Sequence, residues 1–138
     1  MNTGIDKYDA RSRRNLVGVH ADLVRVIERA SEIIQGTGVA FVVIEGVRTR
    51  AKQAEYVKSG ASQTMNGRHL HGFAVDLAAI VGKDVRWDWP LYDKLAKAVK
   101  QAADELQTPV IWGGDWRKFK DGPHFELPRQ TYPDPEDA

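Results

Sequence analysis

His69-Leu70-His71-Gly72-Phe73-Ala74-Val75-Asp76-Leu77-Ala78-Ala79-Ile80 is the stretch that decides the architecture. Read as extended chain from Phe73 to Ile80, it puts Phe73, Val75, Leu77 and Ala79 on one face and Ala74, Asp76 and Ala78 on the other, because strand side chains alternate. The first face supplies core. The second is a floor in which two small residues flank one carboxylate, leaving room for a metal ion and a substrate.

Working outward, Leu23, Ile27, Ala30 and Ile34 recur at helical spacing between about residues 20 and 35, and Gly36 and Gly38 end that helix. Val39-Ala40-Phe41-Val42-Val43-Ile44 is short, β-branched and apolar, and predicts a buried strand that delivers Glu45-Gly46-Val47-Arg48 to one edge. Thr49 can cap a helix over about residues 50–59, followed by a flexible loop over residues 60–67 that leads into His69. A further helix spans about residues 89–106, with Pro90 in its first turn, and Pro109 to Trp112 reads as another strand. Residues 113–120 form a loop, and His124-Phe125-Glu126-Leu127 is a short strand in which His124 and Glu126 share a face. Helices and strands mix without a strict β-α-β rhythm, so the fold class is α+β. The 138 residues fit one domain, residues 1–138, with its core at about 16–127 and an irregular tail at 128–138.

Composition removes several functions. Lys and Arg number 20 against 19 Asp and Glu, a net charge of +1 that supports no field-driven nucleic-acid or membrane-surface role. With no cysteine there is no thiolate ligand, cysteine nucleophile or disulfide. No apolar run approaches the ~20 residues of a membrane helix, and residues 1–11 hold no signal-peptide core, so a soluble, cytoplasmic product is expected.

The chemistry lies in the opening stretch and in Asp121-Gly122-Pro123-His124-Phe125-Glu126. A catalytic zinc takes three nitrogen or carboxylate ligands and keeps one position open. Asp76, His124 and one of His69 or His71 supply that number; in an extended segment the two histidines share parity, and the residues alone leave the choice open. Asp121, separated from His124 by a Gly-Pro turn, is the spare carboxylate suited to act as general base, and Arg48 is the cation best placed to share an oxyanion. Such a set suits amide hydrolysis. Against it stand plainer readings: His20 as helix cap or packing residue, Glu126 as a solvated strand residue, and Trp112 and Trp116 as core or loop anchors.

These segments, with Gly18 to Val26 and Glu45-Gly46-Val47-Arg48-Thr49, resemble the zinc D-Ala-D-Ala peptidase and L-alanyl-D-glutamate endopeptidase superfamily, particularly small bacteriophage endolysins, over about residues 16–127. The family pattern Ser-x-His-x-x-Gly-x-Ala-x-Asp is matched from Gly67 to Asp76, with glycine in place of the serine. The resemblance implies a central antiparallel sheet flanked by helices, as in the hedgehog/D-Ala-D-Ala peptidase fold. It also implies one zinc ion on His69, Asp76 and His124, with Asp121 as base and Arg48 contacting substrate, and leaves His71 at a variable position. The implied substrate is the peptide stem of peptidoglycan, whose carboxylates would meet Arg48 with Arg50 or Arg68 nearby. The implied protein is a monomer without nucleic-acid or stable membrane contact, reaching the wall once a holin opens the membrane. D-Ala-D-Ala carboxypeptidase or dipeptidase activity, or a non-catalytic zinc-retaining module, are the alternatives.

Overall fold

The computed structural model describes residues 10–60 and 67–134. The chain runs through α1 (Ala10–Leu16), α2 (Ala21–Ile33), β1 (Ala40–Glu45), α3 (Arg50–Ser59) and a 3-10 turn (Arg68–His71). It continues through β2 (Ala74–Val81), β3 (Asp84–Arg86), α4 (Trp89–Glu105), β4 (Ile111–Trp112), a second 3-10 turn (Gly113–Asp115) and β5 (His124–Glu126). The sheet is antiparallel in the order β1-β2-β5-β4, with β3 paired to the far end of β2. This is the α+β class expected.

The alternation in β2 sets the layers. Val75, Leu77 and Ala79 are fully buried and join Phe41, Val43 and Phe125 in one core with Leu23, Val26 and Ile27 of α2 and Leu95 and Val99 of α4. Asp76, on the other face, stays half-buried between the buried Ala74 and Ala78. His20 caps α2, its Nδ1 accepting from the Asp22 N–H at 3.0 Å, and the Thr49 hydroxyl caps α3.

Two elements were not legible in advance. Helix α1 grips the sheet with polar groups: Ser12 Oγ accepts from Val43 N–H at 3.0 Å and Asn15 Nδ2 donates to Val43 O at 2.9 Å, which no hydrophobic period reports. Strand β3 is exposed throughout and carries no burial pattern. The described part of the irregular tail packs back onto the domain. Tyr132 packs against the core and its hydroxyl donates to Asp22 Oδ2 at 2.7 Å, and Asp134 pairs with Arg68. Residues 61–66 of the expected loop, and residues 135–138 of the tail, lie outside the described residues.

Candidate metal centre

Sheet register brings the first two groups together. Asp76 lies opposite Glu45 of β1 on one side and His124 of β5 on the other. Directly opposed residues in an antiparallel pair have Cβ atoms roughly 5 Å apart, so the register alone sets an imidazole beside a carboxylate. His124 Nδ1 is 3.2 Å from Asp76 Oδ1.

The third group arrives on the turn before β2. Gly72 closes the 3-10 turn at φ 77°, its N–H reaching the Arg68 and His69 carbonyls, and a Cβ there would stand 2.3 Å from Gly18 O. Residues of a 3-10 turn advance by about 120° each, so His69 and His71 face different ways. His69 enters the site, whereas the His71 ring lies beside Phe73 with centroids 6.3 Å apart. The equal parity expected of the two histidines assumed an extended chain; the turn removes it.

His69 Nδ1 lies 2.8 Å from Gly46 O, and because a carbonyl only accepts, that nitrogen carries the proton. Nε2 is then a bare lone pair. It is buried with no hydrogen-bond partner among the described residues, 3.3 Å from Asp76 Oδ1. Two lone pairs facing each other at that distance repel unless a cation lies near both, so the donor set fits a metal ion. On the other side His124 Nε2 lies 2.7 Å from Glu126 Oε1, which leaves Nδ1 for the shared point. One ligand atom from each of His69, Asp76 and His124 lies within 4.8 Å of the others.

The electrostatics agree. Burial opposes the charge on Asp76, yet with positive charge on the facing His124 and His69 rings their hydrogen bonds outweigh burial and hold its carboxyl well below the usual range, and a metal ion between the three groups would take the place of those protons. Burial likewise opposes a charged His124, but the bonds to Asp76 and Glu126 prevail and push it up to about 9. The buried group draws positive charge, which a proton or a metal ion can supply.

Asp121 lies in the same cleft, tied by its own backbone: its N–H donates to Gly113 O at 3.0 Å and its carbonyl accepts from His124 N–H at 3.2 Å. A Cβ on Gly113 would come within 2.4 Å of Asp121 O, so the small residue permits this close approach. Burial, then the charge of Asp76, raise the Asp121 pKa, against the pull of His124, His69 and Arg48. Arg48 forms the opposite wall. Its backbone N–H donates to His69 O at 3.0 Å, Nη1 to Gln53 Oε1 at 2.7 Å and Nη2 to Glu45, and it lies over the Tyr56 ring 4.4 Å from the centroid. Nη2 is 3.8 Å from Asp76 Oδ2. The cleft between these walls is about 480 Å³, within the range of small-ligand sites.

Several neighbours differ from expectation. Arg68 is buried and structural: it donates to Leu127 O at 2.8 and 3.2 Å and to Tyr132 O at 2.6 Å, and pairs with Asp134 at 2.8 Å. Arg50 is exposed. Trp112 is the core anchor expected, its indole N–H on Gly122 O at 2.7 Å, whereas Trp116 lines the cleft with its ring 5.1 Å from that of His124. Glu126 is a partner of His124 and not a solvated residue; its i, i+2 spacing in a strand was the available signal. Gln53, fully buried on a polar helix, gave none. Gly67, where the family motif has serine, leaves Gln53 its place: a Cβ there would lie 3.1 Å from the Gln53 amide.

Fold and site together define a class: an α+β domain whose buried His-Asp-His group can hold a metal ion. The sequence model of the phage L-alanyl-D-glutamate peptidases matches residues 5–135, and the chain belongs to that family. An L-alanyl-D-glutamate peptidase of Listeria phage A118 is 34% identical over 125 residues, 91% of this chain but 43% of that protein, so the chain spans under half of that relative. The L-alanyl-D-glutamate peptidase of Escherichia phage T5 is 30% identical over 130 residues, covering 91% of this chain and 92% of that one. Among solved structures, the Serratia marcescens L-Ala D-Glu endopeptidase ChiX matches with a TM-score of 0.85 at 48% identity, over 92% of this chain and 93% of that one. The vancomycin-resistance D,D-dipeptidase VanXYg matches at 0.51 and 20% identity over 79% and 50%, and shares the fold alone. Among the described residues no helix is long and apolar enough to cross a membrane.

Proposed function

We propose that this chain is a zinc-dependent endolysin that hydrolyses the bond between L-alanine and D-glutamate in the peptide stem of peptidoglycan. The observation that carries the reading is the lone pair of His69 Nε2, held buried against Asp76 Oδ1 at 3.3 Å beside His124, with a further carboxylate in the same cleft. His69, Asp76 and His124 would hold the ion, and a zinc ion so bound supplies Lewis acidity toward a carbonyl and acidity to water.

The chain's own residues would do the rest. Asp121 accepts the proton of the attacking water and passes it to the leaving amine. Arg48, braced by Gln53, Glu45 and Tyr56, presents positive charge where the scissile carbonyl gains negative charge, or to a stem carboxylate. Glu126 accepts the Nε2–H of His124 and so fixes which nitrogen faces the ion. In the endolysin role the protein would act as a monomer and reach the wall from the cytoplasm after a holin opens the membrane; what supports the role itself is that its relatives are phage L-alanyl-D-glutamate peptidases.

The test is mass spectrometry of the muropeptides released from outer-membrane-stripped sacculi by the zinc-loaded protein. Peptides beginning at D-glutamate, with L-alanine left on the glycan, are the expected products. Loss of terminal D-alanine alone would move the chain to carboxypeptidase chemistry, and no release with zinc bound would leave a binding module.

A further inference from the structure

Phe119 is placed at two costs that no ring contact among the described residues offsets. The residue is 70% exposed, and its backbone sits at φ 55°, a region that bulky residues avoid. Gln107 shares that conformation at φ 52°, but there the cause is local: it ends α4, its N–H on Asp104 O at 3.2 Å and the Thr108 N–H on Ala103 O at 2.9 Å. No helix or strand ends at Phe119. Other exposed aromatics have ring partners, Trp87 stacked on Tyr92 and Trp89 against Trp112, whereas Phe119 makes no ring contact among the described residues. It does line the cleft that holds Asp76, His124 and Asp121. Residues held in sparsely populated backbone conformations cluster at active sites and ligand clamps, and this one stands in the wall of the cleft.

We infer that Phe119 is a substrate-contact residue, its ring closing over the stem peptide. This deepens the proposed reading and rests on it. A peptide seated beside Asp121 would cover the apolar ring, and that contact would offset the exposure and the backbone strain of the unliganded protein.

The test is calorimetric titration of the tripeptide L-alanyl-γ-D-glutamyl-meso-diaminopimelate into zinc-loaded protein carrying Asp121→Asn, so that binding is read without turnover. Adding Phe119→Ala or Phe119→Asn is expected to weaken binding about tenfold, while Phe119→Tyr stays within about twofold. Asparagine tolerates the left-handed region, so Phe119→Asn should also raise the thermal midpoint by roughly 2–4 °C with zinc affinity unchanged. Alanine and asparagine forms that bind within about twofold of the parent carrying Phe119 would overturn the inference, as would a fall in thermal midpoint for Phe119→Asn, which would make the ring structural. If the native chain cleaves no sacculus yet binds the tripeptide through Phe119, the hydrolytic reading falls and the contact stands. If the tripeptide binds to none of these proteins, both fall.

Discussion

The two arms of the site hold their histidines by different means. In the arm from Arg68 to Asp76 the main chain does the work: Gly46 O fixes the His69 ring, the His69 carbonyl takes the Arg48 N–H, and Gly72 closes the turn. In the arm from Asp121 to Glu126 the backbone places the residues but a side chain steadies the ring, Glu126 on His124, with Asp121 lining the cleft. A main-chain anchor moves only if the backbone moves, so damage to the first arm should reach stability and function together. Side-chain anchors can be removed singly, so the second arm should let turnover, metal affinity and folding be separated.

The sharpest separation is Asp121→Ala, expected to cut hydrolysis of sacculi roughly 100- to 10,000-fold while zinc affinity and thermal midpoint hold. Turnover and chelator competition measured on one preparation check it, and loss of the metal would show that the second arm is as indivisible as the first. Gly72→Ala attacks the main-chain arm. The new methyl meets Gly18 O and the left-handed backbone penalises it, so a loss of about 2–4 kcal/mol in denaturant unfolding is expected, with activity falling alongside. Full stability there would break the comparison.

Glu126→Ala should weaken zinc binding roughly 10- to 100-fold without a matching loss of stability, read by competition with a chromophoric chelator. Behind the first arm, the Tyr132 ring packs on Phe73 and His20 while its hydroxyl, more than any other group, holds Asp22 below the usual carboxylate range. A depressed carboxyl contributes stability above its unfolded pKa and loses it as pH falls through the folded value. Tyr132→Phe should therefore cost up to about 1 kcal/mol at neutral pH, with the gap to the native chain closing below about pH 4 in melts. The smallest effect is expected from His71→Ala, with zinc affinity within about twofold of the native value. A collapse of affinity would mean that the turn presents the other histidine.

Much of this was legible beforehand because it depends on local periodicity. The alternation around Asp76 gave a strand with one core face and one chemical face, and Thr49, Pro90 and the paired glycines after α2 marked helix ends within a residue or two. Glu126 was visible as a neighbour on the His124 face but not as its partner, since spacing shows which side a residue takes and not what it meets there. Arg68 shows the reverse failure. Its charge and its place beside His69 suggested substrate, but the tail folds back and buries it under Leu127, Tyr132 and Asp134.

By itself the sequence determined the α+β class, the strand that carries Asp76, and the small set of imidazoles and carboxylates able to meet a metal ion, because side-chain chemistry and backbone period are properties of nearby residues. Only the tertiary structure decided which histidine meets Asp76 and His124, which arginine lies beside Asp76 and which carboxylate steadies His124. Those choices turn on the 3-10 turn, the register of β2 between β1 and β5, and the return of the tail, and each sets distances between residues far apart in the chain.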